Sequence, residues 1–474
     1  MNKIIYFGIL ILLFSCSGTV DKKQFNAIFS STCMIINQEQ DNTIEGTYLI
    51  AENSTDSTIQ FKFPKNFALH KTNCSNWFVG WGSNKPFYDA GVENCRRIIA
   101  IDRINNRIKL GSLVRGNGFP AKGQRIVLWN SNPSGYINYI RKPIINPSIW
   151  PDFRGKSVFF GSVEYDSLLG KWIMLANEND TSKIQIYAAM SDNLIDWKPA
   201  NNAKPIFTAK DFSQCSWAGF DKSGKINQTP FVTDIVRFKK KWYVFLTGYD
   251  HSGKRNIGLA ISDNSLLGPY KIIDKPILMP GENGTWNDNA VSFAKVRAYK
   301  GGFILFYDGQ NSKGSENVGM ARSSDLIHWT NASNNPIISQ HTGWRSSELC
   351  SEPVNVDVRN DSVLLIVAGM KKFKMGFWNH YITKRMYLDV SGNVDDTQWG
   401  MYLSTDGGNT FVAHSQNPIF TNDYSNIYEN EHMGINFKRI ETDTADLILY
   451  EAKSSFGGLH YNIMLRSKTK RDNR

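Results

Sequence analysis

A Pro-Ile pair followed by an apolar residue recurs five times in this 474-residue chain, as KPII at 142, KPIF at 204, KPIL at 275, NPII at 335 and NPIF at 417. Six to eight residues ahead of each proline stands an aromatic: Tyr136, Trp197, Tyr270, Trp329 and Phe411. The prolines are 62, 71, 60 and 82 residues apart. Such periods are too long for a hairpin and suit a repeated module of several strands.

Each module carries two apolar runs of strand length. The first set is GKWIMLAN (170), KKWYVFLTG (240), GGFILFYDG (301), DSVLLIVAG (361) and ADLILYEAK (445). The second is IYAAMSD (186), IGLAISD (257), VGMARSSD (318), WGMYLSTD (399) and YNIMLRSK (461). A further strand such as FVTDIVRF (231), AVSFAKV (290) or VNVDV (354) precedes both. Four antiparallel strands per module predict an all-β fold, a five-bladed β-propeller over residues 124–470. The last module stops near Lys468 after three strands, so a strand from residues near 125–140 is expected to close the ring. Closure removes exposed sheet edges. Residues 24–123 read as a separate, small strand-rich accessory region.

Residues 1–16, MNKIIYFGILILLFSC, place Lys3 before an apolar run and then a cysteine. This is the layout of an export signal, and LFSC resembles a bacterial lipobox in which Cys16 receives lipid. The expectation is an outer-membrane lipoprotein facing the periplasm or the cell surface, held by a lipid anchor only. Five further cysteines, Cys33, Cys74, Cys95, Cys215 and Cys350, remain. Cys74 and Cys95 either pair or stay as buried thiols, and Cys350 reads as an apolar filler. No CxxC or Cys/His spacing suggests zinc, and no metal or cofactor is expected. The formal charge of +11 is dispersed. It favours an anionic glycan or a membrane surface over nucleic acid, for which no motif is present.

IGLAISDNSLLGPY and VGMARSSDLIHW, each followed by a Pro-Ile turn, resemble the outer-blade segments of the five-bladed glycoside hydrolases of families 43, 32, 62, 117 and 130. The resemblance covers residues 125–470 and implies a carbohydrate-active enzyme whose site lies on the propeller axis, at the starts of the innermost strands. Those starts are Ser157, Thr229, Asp288, Glu352 and Glu431. The resemblance places the proton donor at Glu352, in SEPV, and the aspartate that orients and tunes it at Asp288, in NDNAV. A glycosidic oxygen leaves readily only when protonated, so one carboxyl must keep its proton near neutral pH, and a second carboxylate close by favours that. A further carboxylate, roughly 6.5 to 9.5 Å from the acid in inverting enzymes, activates water. One blade before Asp288, where that base belongs, the chain has Thr229. Asp221, Asp234 and Glu431 are the substitutes. STDGGNTF at 404 matches the Asp-box of sialidases, a structural hairpin in which Asp406 has no catalytic role.

Trp150, Trp217, Trp286, Trp344 and Tyr428 precede the innermost strands, as sugar-stacking faces or as packing between blades. The insertion at 371–396 carries His380, Tyr381 and several Lys and Arg, a candidate rim for carboxylate or sulfate. Arg345, His380, Tyr381 and His432 also allow a second chemistry. In an elimination on a uronic acid, cations neutralise the carboxylate and a His or Tyr removes the C5 proton, with no paired acids. Three functions therefore remain: hydrolysis of an oligosaccharide or polysaccharide, a lyase or dehydratase acting on acidic and possibly sulfated oligosaccharides, and glycan binding without turnover.

Overall fold

The computed structural model describes residues 140–469 except 141, 156, 180–184, 221–225, 229, 342–344, 346, 349, 371–396, 415–416, 421–427, 430–431, 443–444 and 455–459. Before them it describes the strand segments 49–50, 53–55, 58–60, 77–81, 94–102, 107–115 and 125–130, with 119 and 121. Regular structure among these residues is strand, apart from three short 3-10 turns.

Five antiparallel units follow one another. The first four are Ser157–Asp166, Lys171–Asn179, Ile186–Ser191 and Lys198–Pro199; Phe231–Phe238, Lys241–Tyr249, Arg255–Ser262 and Tyr270–Ile272; Ala290–Tyr299, Gly302–Gln310, Glu316–Ser323 and Thr330–Asn331; and Pro353–Arg359, Ser362–Gly369, Gln398–Ser404 and Val412–Ala413. The fifth has three strands, His432–Glu441, Ala445–Ser454 and His460–Thr469. The first strand of each unit packs against the first strands of the units before and after it, the fifth against the first, so these inner strands form a ring. Apolar side chains fill the spaces between units. Leu175 and Val244 meet between the first and second, and Val158 and Leu449 between the first and fifth.

The Pro-Ile repeat now has a physical cause. The residue after each Ile pairs with the start of the third strand, at Ile186↔Phe207, Ile257↔Leu278, Val318↔Ile338 and Trp399↔Phe420. The Ile N–H donates to the same strand residue: Ile206 to Ile186 at 2.7 Å, Ile277 to Ile257 at 2.9 Å, Ile337 to Val318 at 2.9 Å and Ile419 to Trp399 at 2.9 Å. Proline, with no N–H of its own, sits where the return strand leaves the ladder. In the first repeat the same bond goes elsewhere, from Ile144 N–H to Ile463 O at 2.9 Å in the fifth unit. The chain ahead of the first unit thus closes the ring.

Of the expected closing strand near 125–140, Arg125–Asn130 instead pairs with Trp77–Trp81 and Leu49–Ile50 inside the seven-stranded N-terminal sheet. Residues 131–139 lie outside the described residues.

Every inner strand carries a register shift near its start, at Phe160/Ser162, Val232/Asp234, Ser292/Lys295, Pro353/Asn355 and Met433/Phe437. A bulge leaves an N–H without a ladder partner, and neighbouring units supply one. Asn177 Oδ1 accepts Val232 N–H at 2.9 Å, Thr247 Oγ1 accepts Phe293 N–H at 3.0 Å, and Glu451 Oε2 accepts Phe160 N–H at 3.0 Å. Below the bulges lies a buried polar layer. Lys295 Nζ donates to Thr233 O at 2.6 Å and to Asn436 Oδ1 at 2.7 Å, and Arg297 pairs with Asp234 at 2.8 Å. Burial pushes the Lys295 amine down to about 8.

Candidate active site

Glu352 immediately precedes the inner strand of the fourth unit and is 8% exposed. Burial, followed by the neighbouring Glu316 charge, pushes its carboxyl up to about 7, against the smaller pull of its own backbone N–H, the Cys350 side chain and Arg255. Its Oε2 is buried and has no hydrogen-bond partner among the described residues. A buried carboxyl without a full set of donors keeps its proton, because the charged form has lost its water.

Three further charged groups surround it. Asp308 Oδ2 accepts Ser292 Oγ–H at 2.7 Å, whereas Oδ1 is buried and without a partner among the described residues. Burial, then Glu316, raises Asp308 well above the usual carboxylate range, while Arg255 opposes the shift. Glu316 Oε2 accepts Cys350 N–H at 2.6 Å, and its Oε1 accepts the Gln310 amide at 2.8 Å. Arg255 Nη2 lies 3.6 Å from both Asp308 Oδ2 and Glu316 Oε1. Three carboxyl groups around one guanidinium cannot all be ionised without a large cost in a water-poor site. The upward shifts of Asp308 and Glu352 relieve that cost.

No protein-family model and no curated protein sequence matches the chain. Solved structures do. A member of glycoside hydrolase family 130, described as a family of mannoside phosphorylases containing hydrolases that target β-1,2 mannosidic linkages in Candida mannan, superposes with TM-score 0.50 at 14% identity. The match covers 73% of this chain and 96% of that one. A protein of Parabacteroides distasonis ATCC 8503, provisionally assigned as a glycoside hydrolase, gives TM-score 0.50 at 14% identity over 72% of this chain and 98% of that one. A thermostable family-43 glycoside hydrolase gives 0.49 at 14% identity, covering 67% and 95%. The chain has the fold of the propeller glycoside hydrolases.

Within this propeller fold the residues expected at the site separate into several groups. Asp288 is 5% exposed and ties its own loop to the hairpin after Gln310, with Oδ2 accepting Gly284 N–H at 2.8 Å and Oδ1 accepting Ser312 N–H at 2.6 Å. The Gly284 bond is the largest influence holding this carboxyl below its usual range. The Lys254 ammonium donates to the Asp288 backbone carbonyl at 2.9 Å. Glu316, rather than Asp288, is the strongest charged neighbour of Glu352.

Arg345 is 1% exposed, with Nη1 donating to Tyr402 Oη and Nη2 to Ser351 Oγ, both at 3.1 Å. Its guanidinium is thus engaged inside the fourth unit. Trp286 is half-buried, tilted 33° to Tyr307 with ring centroids 5.7 Å apart, and seated on Gly309 and Gly319. Trp150 and Trp217 are buried, and their indole N–H groups donate to Ala188 O and Ile273 O. Packing between strands thus accounts for both of these rings. Asp406 accepts Asn409 and Thr410 N–H within its own turn, as the structural reading of that motif requires.

Asp234 is engaged by Arg297 and by Val296 N–H. Burial alone would raise it, but Arg297, Lys438 and Lys295 together hold it low, so it is committed to the buried layer and not to water activation. Asp221, Thr229, Glu431, Trp344, His380, Tyr381, Cys74 and Cys16 lie outside the described residues, and of His432 only the backbone, paired with Lys453, is described. Cys215 and Cys350 are buried and in no disulfide among the described residues, and Cys350 Sγ lies 3.5 Å from Thr397 Oγ1.

Sequence reasoning missed Asp308, Glu316 and Arg255. Asp308 left one signal, a lone charge in the apolar run GGFILFYDG. It occupies the position of Asn177 and Thr247, five residues after Phe303, Trp172 and Trp242 respectively. Those two residues bind the next unit, whereas Asp308 accepts Ser292 in its own.

Proposed function

We propose that this protein cleaves glycosidic bonds in an oligosaccharide or polysaccharide, with Glu352 as the general acid. The observation that carries this reading is the state of Glu352, a carboxyl beside the inner strand whose value is pushed up to about 7 and whose Oε2 is free to hold a proton. The substrate's leaving oxygen would take that proton as the C–O bond breaks, and the next solvent proton would restore the acid. Asp221 and Glu431 are the candidate bases for water. The burial of Arg345 against Tyr402 and Ser351 removes one cation on which an elimination reaction would rely. The signal-like N-terminus ending at Cys16 supports an exported lipoprotein, which suits an enzyme acting on polymeric glycans.

The test is a screen of the full-length protein against neutral and uronic oligosaccharides, with β-1,2-mannan included, followed by both new reducing ends and ultraviolet absorbance. Glu352→Gln is expected to lower turnover of the substrate found by about 10²- to 10⁴-fold, the usual contribution of a general acid. Full activity in that variant would remove Glu352 from the role. Both reactions free a reducing end, so ultraviolet-absorbing unsaturated products accompanying the new reducing ends would show an elimination.

A further inference from the structure

Cys350, two residues before Glu352, has φ +64, the left-handed region that a non-glycine residue seldom adopts. Its N–H points at the Glu316 carboxylate, and Glu316 N–H in turn donates to Glu348 O at 2.7 Å. Glu316 therefore holds the segment leading to the acid at two places, 348 and 350. Gln310, its cross-strand partner, fixes the other carboxylate oxygen. Strained backbone survives where surrounding bonds over-determine it, and here the backbone bonds at 348 and 350 both come from Glu316 of the preceding unit.

We propose that Glu316 is the positioning residue for Glu352, fixing the segment that carries the acid and placing a second carboxylate beside it, while Asp288 ties its own loop to the hairpin after Gln310. This inference rests on the reading of Glu352 as the acid. It departs from the division of labour implied by the family resemblance, which gives the tuning role to Asp288.

The charges facing Glu352 divide by element. Arg255 comes from the third strand of the second unit, Asp308 and Glu316 from the second and third strands of the third unit, and the Cys350 thiol from the acid's own segment. His341, bound to Asn317 Oδ1 and Ser347 O, is held below its usual value by burial and then by Arg345. Lys254 meets the backbone of Asp288. Arg255 opposes protonation of Glu352, and Glu316 promotes it. Removing the Glu316 charge leaves burial and the guanidinium in place, so the acid must release its proton at lower pH.

The experiment is an infrared titration of the full-length protein without substrate, following the protonated-carboxyl stretching band that Glu352→Gln abolishes. In the unmutated protein the midpoint is expected near 7, the value to which Glu352 is raised. Glu316→Gln keeps an oxygen for Cys350 N–H and loses the charge. It is expected to lower the midpoint by about one pH unit, the scale of a nearby like charge. Asp288→Asn is expected to leave it unchanged. Should Glu316→Gln fail to fold, Glu316→Asp, which withdraws the carboxylate by one methylene, is expected to shift the midpoint in the same direction by less.

An unmoved midpoint in the folded Glu316 variant, or a fall in Asp288→Asn, overturns the proposal. On the substrate identified in the screen, the alkaline limb of kcat/KM should move with the infrared midpoint. If Glu352→Gln is fully active while the midpoint still moves in Glu316→Gln, the fault lies in the assignment of the acid and not in the coupling.

Discussion

The carboxyl of Glu451 in the fifth unit accepts the backbone N–H of Phe160 in the first, at 3.0 Å across the seam where the ring closes. Burial, chiefly, raises Glu451 to about 8. In an unfolded chain a glutamate titrates near 4.5, so above that value folding requires proton uptake. The contribution to stability is complete below about pH 4.5 and is lost as pH rises through about 8, with a slope of up to about 1.4 kcal/mol per pH unit. Denaturant titrations from pH 5 to 8 should show Glu451→Gln flattening this decline. An unchanged slope would place the proton elsewhere.

Asn177 both donates to Val232 O at 3.3 Å and accepts Val232 N–H at 2.9 Å. Replacement by alanine leaves two buried backbone groups unpaired, at a cost of about 2–4 kcal/mol. Thr247→Val keeps the shape and orphans only Phe293 N–H, for about 1–2 kcal/mol. Midpoints of chemical denaturation at constant m-value measure both losses, and Asn177→Ala should be the larger.

A methyl group on Gly258 would meet the Trp217 ring at 2.2 Å, and on Gly319 it would meet Tyr307 at 2.5 Å and Trp286 at 2.6 Å. The glycines of IGLAISD and VGMARSSD are therefore seats for rings. Gly258→Ala should destabilise the fold by about 1–3 kcal/mol through overpacking. Thermal melting with tryptophan fluorescence would report the displaced indole, and an unchanged melting temperature would refute tight seating.

Asp288 ties Gly284 N–H and Ser312 N–H together. Asn at this position offers one oxygen in place of two, so amide hydrogen exchange at Gly284 or Ser312 should accelerate in Asp288→Asn while the inner strands keep their protection. Because this carboxyl is held below its ordinary value, its contribution is present at neutral pH and fades as pH falls through that lowered value. Exchange at the two amides should therefore rise in acid relative to amides elsewhere.

The proline period made the ring legible, because each Pro-Ile turn leaves its own mark on the third strand it meets. Glu352 was legible for a related reason, as it stands at a repeated strand start. Glu316 was not, since nothing in ENVGMARS separates it from an ordinary charged residue at a hairpin end. Its meaning arises only when the third unit lies against the segment before Glu352. The loop tryptophans stayed ambiguous in the sequence, since an indole ahead of a strand suits a sugar platform and a packing element equally. Gly258, on which Trp217 is seated, decides for packing there only once the strands are side by side.

The register shifts near the start of all five inner strands have an evolutionary consequence. A strand reverses every facing when one residue is added, so a length change in a loop feeding such a strand would ordinarily invert the strand beyond it. Here each strand already takes up extra length near its start, one residue in the first four units and two in the fifth. Loops ahead of that point are free to vary in length and residues, while Asp234, Lys295 and Asn355 keep their phase at its far side. The ring thus behaves as a fixed socket with an exchangeable rim, open to new specificities without refolding its centre.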